Sequence, residues 1–375
     1  MKVLHRYVSS EIIGAVFFAL IAFLALFAFF DLIAELPAVG RGGYQLQHAF
    51  LYVTMGLPGY VYDLMPIAAL IGTIYALAQL GARSEFTIMR ASGLSTGMAG
   101  WILAKVGIVL VLITFLFGEF IAPASSKMAE RLKLQAQDAS ISQEFRSGLW
   151  TKDVIRAHGL TGETVGSRFI NVKNVSTEGQ LQGVKVYEFD RDFHLSGVVT
   201  AAYADYKGGN VWRLANVSET SFSAKTTDLT ATVSTKTVAA RDLVSEITPD
   251  ILSVLFVDPD RMSAYGLAMY TQHLEENSQN AGRYEIAFWK KLVYPFAVLV
   301  MMALALPFAY LHFRAGGVSL KIFIGIMIGV GFQLLNSLFS HLGLLNTWPP
   351  LTTAVLPSAI FLMIAIASLL WVQRH

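Results

Sequence analysis

The 375-residue chain contains no cysteine. That absence excludes disulfide scaffolds, thiolate metal sites and cysteine nucleophiles. Charge is scarce as well: Asp, Glu, Lys and Arg make up 14% of the residues, against about 25% in soluble domains. A chain so poor in charge cannot clothe a water-facing surface in the usual way. With 54% hydrophobic residues and a mean hydropathy of +0.54, it reads as a membrane protein. A net charge of +2 argues against a nucleic-acid binder. There is no G-x-x-x-x-G-K-[ST] phosphate loop, so ATP is not hydrolysed by that route. The eight histidines are scattered, with none at metal-ligand spacing. Gly93-Leu94-Ser95-Thr96-Gly97 matches the G-x-S-x-G nucleophile elbow, but it lies between two apolar segments instead of between a buried strand and a helix, so it is read as a turn. These absences together indicate a chain that is not an enzyme by itself, with no catalytic residue, no metal site and no bound cofactor.

What is present is apolar sequence in long runs. A span needs about 20 mostly apolar residues, and six segments approach or exceed that, near 12–33, 64–82, 101–122, 286–311, 320–342 and 351–372. The first is too long for a signal-peptide core and no small-x-small cleavage site follows it. Lys2, Arg6, Arg83, Arg90, Arg314, Lys321 and Arg374 flank the spans on one side, whereas the two short loops on the other carry Arg41 alone. By the positive-inside rule both termini are cytoplasmic. The long middle region then lies outside the membrane on the far side. The expected domains are 1–124 (spans one to three), 125–284 (an inserted extracytoplasmic domain) and 285–375 (spans four to six). Gly72, Ala76 and Gly81, and Gly325 and Gly329, recur at helical spacing and permit close helix packing, within the chain or against a partner.

Composition shifts after Pro123. Alternating stretches rich in Val, Thr, Tyr and Phe appear at 168–175, 183–189, 198–206, 211–217 and 229–238, which reads as a β-sandwich or barrel. Amphipathic segments at 125–139 and 263–279 are its helical legs.

Two groups of residues stand out as candidate sites. The loop 83–93 can form a short helix capped by Ser84 and stopped by Gly93. Phe86, Met89 and Arg90 share a face there, while Phe86, Ile88 and Met89 leave apolar surface in the cytoplasm. This is either a docking surface or a helix lying on the bilayer. Glu85 in its first turn is favoured by the helix dipole. At the opposite side, Asp31, Glu35, Asp63 and Glu119 end or begin spans, and ionisable groups at such positions are functional candidates. Lys127, Arg131 and Lys133, with Arg283, Lys290 and Lys291, form a basic collar able to pair with anionic lipid head groups or with the four acids.

In order and spacing, the residues Leu4-His5-Arg6-Tyr7, Met65-Pro66-Ile67-Ala68-Ala69-Leu70, Arg83-Ser84-Glu85-Phe86-Thr87-Ile88-Met89-Arg90-Ala91-Ser92-Gly93, Gly148-Leu149-Trp150, Ala281-Gly282-Arg283-Tyr284 and Leu356-Pro357-Ser358 resemble the LptF/LptG permeases of the lipopolysaccharide exporter, nearer the LptG branch. The resemblance covers essentially the whole chain. It implies six helices in a 3+3 arrangement with a periplasmic β-jellyroll between the third and fourth, in the inner membrane of a Gram-negative bacterium. It implies extraction of lipopolysaccharide from the outer leaflet by a non-catalytic permease subunit. The implied partners are an LptF-like permease, an LptB-like ATPase dimer that uses ATP and magnesium, and an LptC-like single-span protein. It also makes Arg83, Ser84, Glu85, Phe86, Ile88, Met89 and Arg90 the ATPase-coupling segment. The chain departs from the family pattern at the outer end of helix one, where relatives can carry lysine. Asp31 and Glu35 stand there, and Arg41 is the first cation. Head-group binding then falls to Lys127, Arg131 and Lys133, with Arg41. A subunit of another lipid or lipoprotein exporter, and an ion-coupled carrier built on the four acids, are the alternatives.

Overall fold

The computed structural model describes residues 2–136, 148–176, 179–223, 232–254, 258–277, 279–310, 318–345 and 348–374. Arg314 and residues 229–231 of the last expected strand lie outside them. Among the described residues, six helices are long and apolar enough to cross a membrane: Val3–Ala38, Leu46–Ala82, Thr96–Ala136, Gly282–Tyr310, Val318–Leu345 and Pro350–Val372. Helices are the natural outcome for such runs, because a backbone in hydrocarbon must satisfy its own hydrogen bonds.

The first three spans comprise α1 (Lys2–Glu35), α2 (Leu46–Ala82) and α4 (Thr96–Leu116), with a short helix α3 (Glu85–Ala91) between the last two. A π-helical turn, Phe117–Ile121, joins α4 to the leg α5 (Ala122–Ala136). After the β domain come α6 (Pro249–Val254), the leg α7 (Ala264–Glu276) and the fourth span, built from α8 (Gly282–Val293), α9 (Ala297–Ala305) and α10 (Pro307–Tyr310). The last two spans are α11 (Val318–Leu345) and α12 (Pro350–Arg374).

The centre of the helical body is α2, whose residues from Leu64 to Ala69 are all buried. Glycine sets how closely its neighbours approach. A Cβ on Gly72 would lie 2.5 Å from the Val16 backbone of α1, and one on Gly329 of α11 would lie 2.9 Å from Ile67. The small-residue positions 72, 325 and 329 therefore serve packing inside this chain.

Between the third and fourth spans stands the expected β domain. Its described strands are β1 (Leu149–His158), β2 (Thr161–Val175), β3 (Leu181–Asp190), β4 (Leu195–Gly208), β5 (Val211–Ser223) and β6 (Thr232–Val244). They form a single antiparallel sheet in sequence order. At the β4–β5 connection Gly209 and Asn210 both have positive φ, as a tight primed turn requires. The core collects Ile170, Val172, Val184, Val186, Val199 and Leu214, joined by Ile247 and Leu252 from beyond β6. The Trp212 indole donates to the Ile247 carbonyl at 2.7 Å, fastening that segment to the sheet. Strand β1 goes unrecognised in the sequence because Lys152, Asp153 and Arg156 interrupt its apolar alternation. Asp153 is fully buried, where its Oδ2 meets the Arg168 guanidinium of β2 at 2.6 Å and accepts from the Ser245 hydroxyl at 2.7 Å.

Candidate functional site

At the α3 end, Ser84 adopts a left-handed conformation (φ 60°) and its side chain makes no capping bond. That corrects the capping role expected of it: the left-handed residue turns the chain sharply out of α2 instead. Gly93 ends the helix with a φ of 98°, and Ser95 then caps α4 by accepting from the Met98 amide at 3.2 Å. The G-x-S-x-G stretch is thus a helix-to-helix turn.

Phe86 is buried, edge-on to the Tyr310 ring at 5.3 Å, and Met89 packs against the core of the spans. The expectation that Phe86 leaves apolar surface exposed is corrected here, since Tyr310 of α10 supplies the cover, whereas Met89 is half-buried. Arg90 spreads its guanidinium over the same Tyr310 ring at 5.0 Å. The face opposite carries Arg83, Ser84, Thr87 and Ile88, all exposed. Glu85 stands at the edge of that face and accepts a hydrogen bond from the Tyr7 hydroxyl at 2.9 Å. The contact bridges 78 residues, so nothing in local sequence signals it. The α3 segment is therefore anchored by Phe86 and Arg90, steadied by Tyr7, and presents a short outward surface.

The end of the spans nearer the β sheet is built from α1, α2, α5 and the turn at Pro259–Arg261. A cleft of about 390 Å³ opens there, lined by Asp31, Glu35, Tyr52, Tyr60, Glu130 and Arg261 among others. Lys133 pairs with Glu35 at 2.8 Å and sits 4.6 Å from the Tyr52 ring centre. Asp31 accepts from the Tyr60 hydroxyl at 3.0 Å, and Glu130 from the Tyr52 hydroxyl at 3.2 Å. Arg261 lies over the Tyr60 ring at 5.8 Å.

The four acids do not converge. Glu35 belongs to the Lys133 pair and Asp31 to Tyr60. Glu119 accepts from the amides of Ala264 and Tyr265 at the start of α7. The exposed Asp63 sits beside the fourth span, where its backbone carbonyl accepts from Tyr294. Of the cations, Lys133 is engaged, while Lys127, Arg131 and Arg41 are exposed and form no ion pair among the described residues. Lys290 and Arg283 pair with Asp260 and Asp258 at 3.3 and 3.4 Å. Arg261, which faces the cleft, escapes the sequence reading because it sits in a short turn far from any span core.

Asp190, Asp192 and His194 in the β3–β4 turn lie within reach of one another and are exposed. Asp190 serves that turn. Backbone hydrogen bonds from His194 and Asp192 hold its carboxyl below the usual range.

A family model described as the lipopolysaccharide export system permease LptF/LptG matches residues 6–371. Over 370 residues the chain is 32% identical to the lipopolysaccharide export system permease protein LptG of Escherichia coli (strain K12), covering 97% of each chain. Over 364 residues it is 28% identical to the protein of the same name from Haemophilus influenzae, again covering 97% of each.

Proposed function

The chain belongs to the LptF/LptG family of lipopolysaccharide export permeases, and from that membership we propose that it is a permease subunit that lifts lipopolysaccharide out of the inner membrane. The reading rests on one observation above the rest, the full-length match to LptG proteins of two bacteria. In this reading both termini face the cytoplasm and the β sheet stands in the periplasm. The chain pairs with a second permease of the same layout, and an LptC-like single-span protein joins them.

Extraction of such a lipid demands external work. Each buried methylene is worth roughly 0.8 kcal/mol, so drawing one chain of about a dozen methylenes out of the bilayer costs on the order of 10 kcal/mol. A lipid with several such chains does not leave unaided. Apolar surface shared between two permeases lowers that cost by replacing lipid contacts. The exposed outer faces of α1 (Phe18, Ile21, Phe29, Phe30) and α11 (Phe323, Met327, Leu334) supply such surface.

ATP hydrolysis belongs to a partner ATPase dimer docked on α3. Its seat is the outward face of Arg83, Ser84, Thr87 and Ile88, with Glu85 offering a carboxylate to a cation of the ATPase. Phe86, Met89 and Arg90 transmit the push inward, because they clasp α10 and the core of the spans. At the outer end, Lys127, Arg131 and Arg41 meet the phosphates of the head group, and Lys133 keeps Glu35 compensated.

The test is reconstitution of this chain with a second permease and the ATPase in proteoliposomes loaded with lipopolysaccharide. The expected result is ATP-dependent release of the lipid to a periplasmic acceptor, weakened by Lys127→Ala/Arg131→Ala. Release that ignores ATP, or transport driven by a proton gradient alone, overturns the reading.

A further inference from the structure

The outer end of the third span departs from α-helix at the π-helical turn Phe117–Ile121. Such turns are uncommon and concentrate at functional sites. This one sits where three elements meet. A Cβ on Gly118 would lie 2.4 Å from the Tyr62 ring of α2, and the Tyr62 hydroxyl donates to the Lys291 carbonyl of α8 at 3.3 Å. From the same turn Glu119 reaches α7, 145 residues later in the chain. Its Oε2 accepts from the Ala264 amide at 2.7 Å and its Oε1 from the Tyr265 amide at 3.2 Å.

The cap of α7 is shared between two structural units, with Ser263 taking the Gly266 amide and Glu119 the two amides before it. The Ser263 hydroxyl accepts from the Gly266 amide at 3.0 Å. Glu119 adds an anion at the positive end of the helix dipole, and it does so from a different structural unit.

The far end of α7 is fastened to the sheet. Lys152 of β1 donates to the Asn277 carbonyl at 3.0 Å. Arg156 of β1 pairs with Glu246 at 3.0 Å and lies 3.7 Å from Glu276. Along its length α7 is stiffened by contact with α8, where the Tyr270 and Tyr284 rings meet edge-on at 4.6 Å. Helix α7 is therefore a strut of roughly 20 Å, taking about 1.5 Å per residue, gripped by the third span at one end and by the sheet at the other.

We propose that Glu119 is a positioning residue that couples the outer end of the third span to the β sheet through α7, so that the sheet follows that span when it moves. The inference rests on the exporter reading for its cause of movement, but the grip itself is a property of this chain alone.

The cysteine-free chain allows a direct test. Spin labels are attached after Ala124→Cys on α5 and Lys185→Cys on β3, both exposed positions. The distance distribution is first measured on the full chain alone. Wild type gives a narrow distribution, and Glu119→Ala broadens it at least twofold. Glu119→Gln, which keeps one acceptor, falls between the two and carries the comparison if Glu119→Ala does not fold. In the double variant Glu119→Ala/Ser263→Asp, α7 regains an anionic cap of its own without the link to α4, and the distribution stays broad. An unchanged width in Glu119→Ala and Glu119→Gln, or recovery of the narrow width in the double variant, overturns the proposal. The measurement is repeated in the complex with the ATPase. ATP leaves the wild-type distance unchanged, because sheet and span move together, and shifts the distance in Glu119→Ala. If neither shifts while the width result holds, the exporter reading fails and the joint stands; if wild type shifts like Glu119→Ala, the coupling fails.

Discussion

The first and second spans invert the usual rule about apolarity and burial. The first is the most apolar of the six, yet 17% of its most apolar stretch is buried, whereas the second is the least apolar and 83% of its stretch is buried. In water the more apolar helix would occupy the core. In a bilayer the surroundings are as apolar as the core, so burial is decided by close packing and polar contacts instead. The second span is central because Gly72 admits Val16 of α1 and because Ile67 and Ile74 receive Gly329 and Gly325 of α11. The first and last two spans keep most of their large apolar side chains outside, against lipid or a partner.

The sharpest way to break that comparison is a matched pair of glycine substitutions. Gly72→Ala forces a Cβ onto the Val16 backbone, which cannot move aside as a side chain could, and overpacking of this kind costs roughly 1–3 kcal/mol or more. Gly14→Ala in α1 meets open space and is neutral or stabilising, since alanine favours helix by about 1 kcal/mol over glycine. Thermal unfolding in detergent measures both. Equal melting temperatures would show that the glycines do not set the packing.

A second prediction contrasts the anchored and outward faces of α3. Glu85→Arg leaves the melting temperature unchanged within the error of the scan, because Tyr7 loses a single exposed hydrogen bond. It weakens capture of the ATPase at least tenfold, a change of about 1.4 kcal/mol. Phe86→Ala, by contrast, empties a buried site against Tyr310 and lowers stability by roughly 3–5 kcal/mol. A pull-down titration and a melting curve separate the two faces.

The third concerns the joint between α7 and the sheet. Burial pushes the His273 imidazole below its ordinary value, against the pull of Asp153, Glu246 and Glu276. The folded state therefore binds fewer protons there than the unfolded state, and stability rises with pH across the window between the two values. The contribution is complete above roughly pH 6.5, the ordinary histidine value, and is lost as pH falls towards the lowered folded one. Melting of the β domain, followed by tryptophan fluorescence, should show this slope, and His273→Gln should remove it.

The smallest effect is expected on the outer face of α11. Phe323→Ala changes the stability of the isolated chain by less than about 0.5 kcal/mol, as surface positions do. In the complex it weakens pairing with the second permease. A large loss in the isolated chain would mean that this face is covered from within.

The elements differ in how far they could be read from the chain itself. The six spans are legible because each is an unbroken apolar run, although their ends are not. Leu46 to Asp63 belongs to the second helix despite Gly56, Pro58 and Gly59, since neighbouring helices relieve the proline. The sheet is legible wherever Val, Tyr and Phe alternate, and β1 is hidden by the buried Asp153–Arg168 pair. The outward part of α3 follows from local pattern. Its inward half does not, because an apolar residue in a loop looks exposed until the helix that covers it, here α10, is in place. The basic collar is visible as composition, but the distinction between engaged Lys133 and Lys127 and Arg131, which form no ion pair among the described residues, requires knowing that Glu35 lies opposite. Glu119 stands out in the sequence as one of four acids at span ends, but its role is hidden because its partners are 145 residues away.

The most direct test is copurification of the tagged chain from bacterial membranes, wild type beside Glu85→Arg. Wild type should bring down a second permease, an ATPase and bound lipopolysaccharide, and the variant should keep the permease while losing the ATPase. A chain that purifies alone, or a Glu85→Arg variant that retains the ATPase undiminished, would contradict the account.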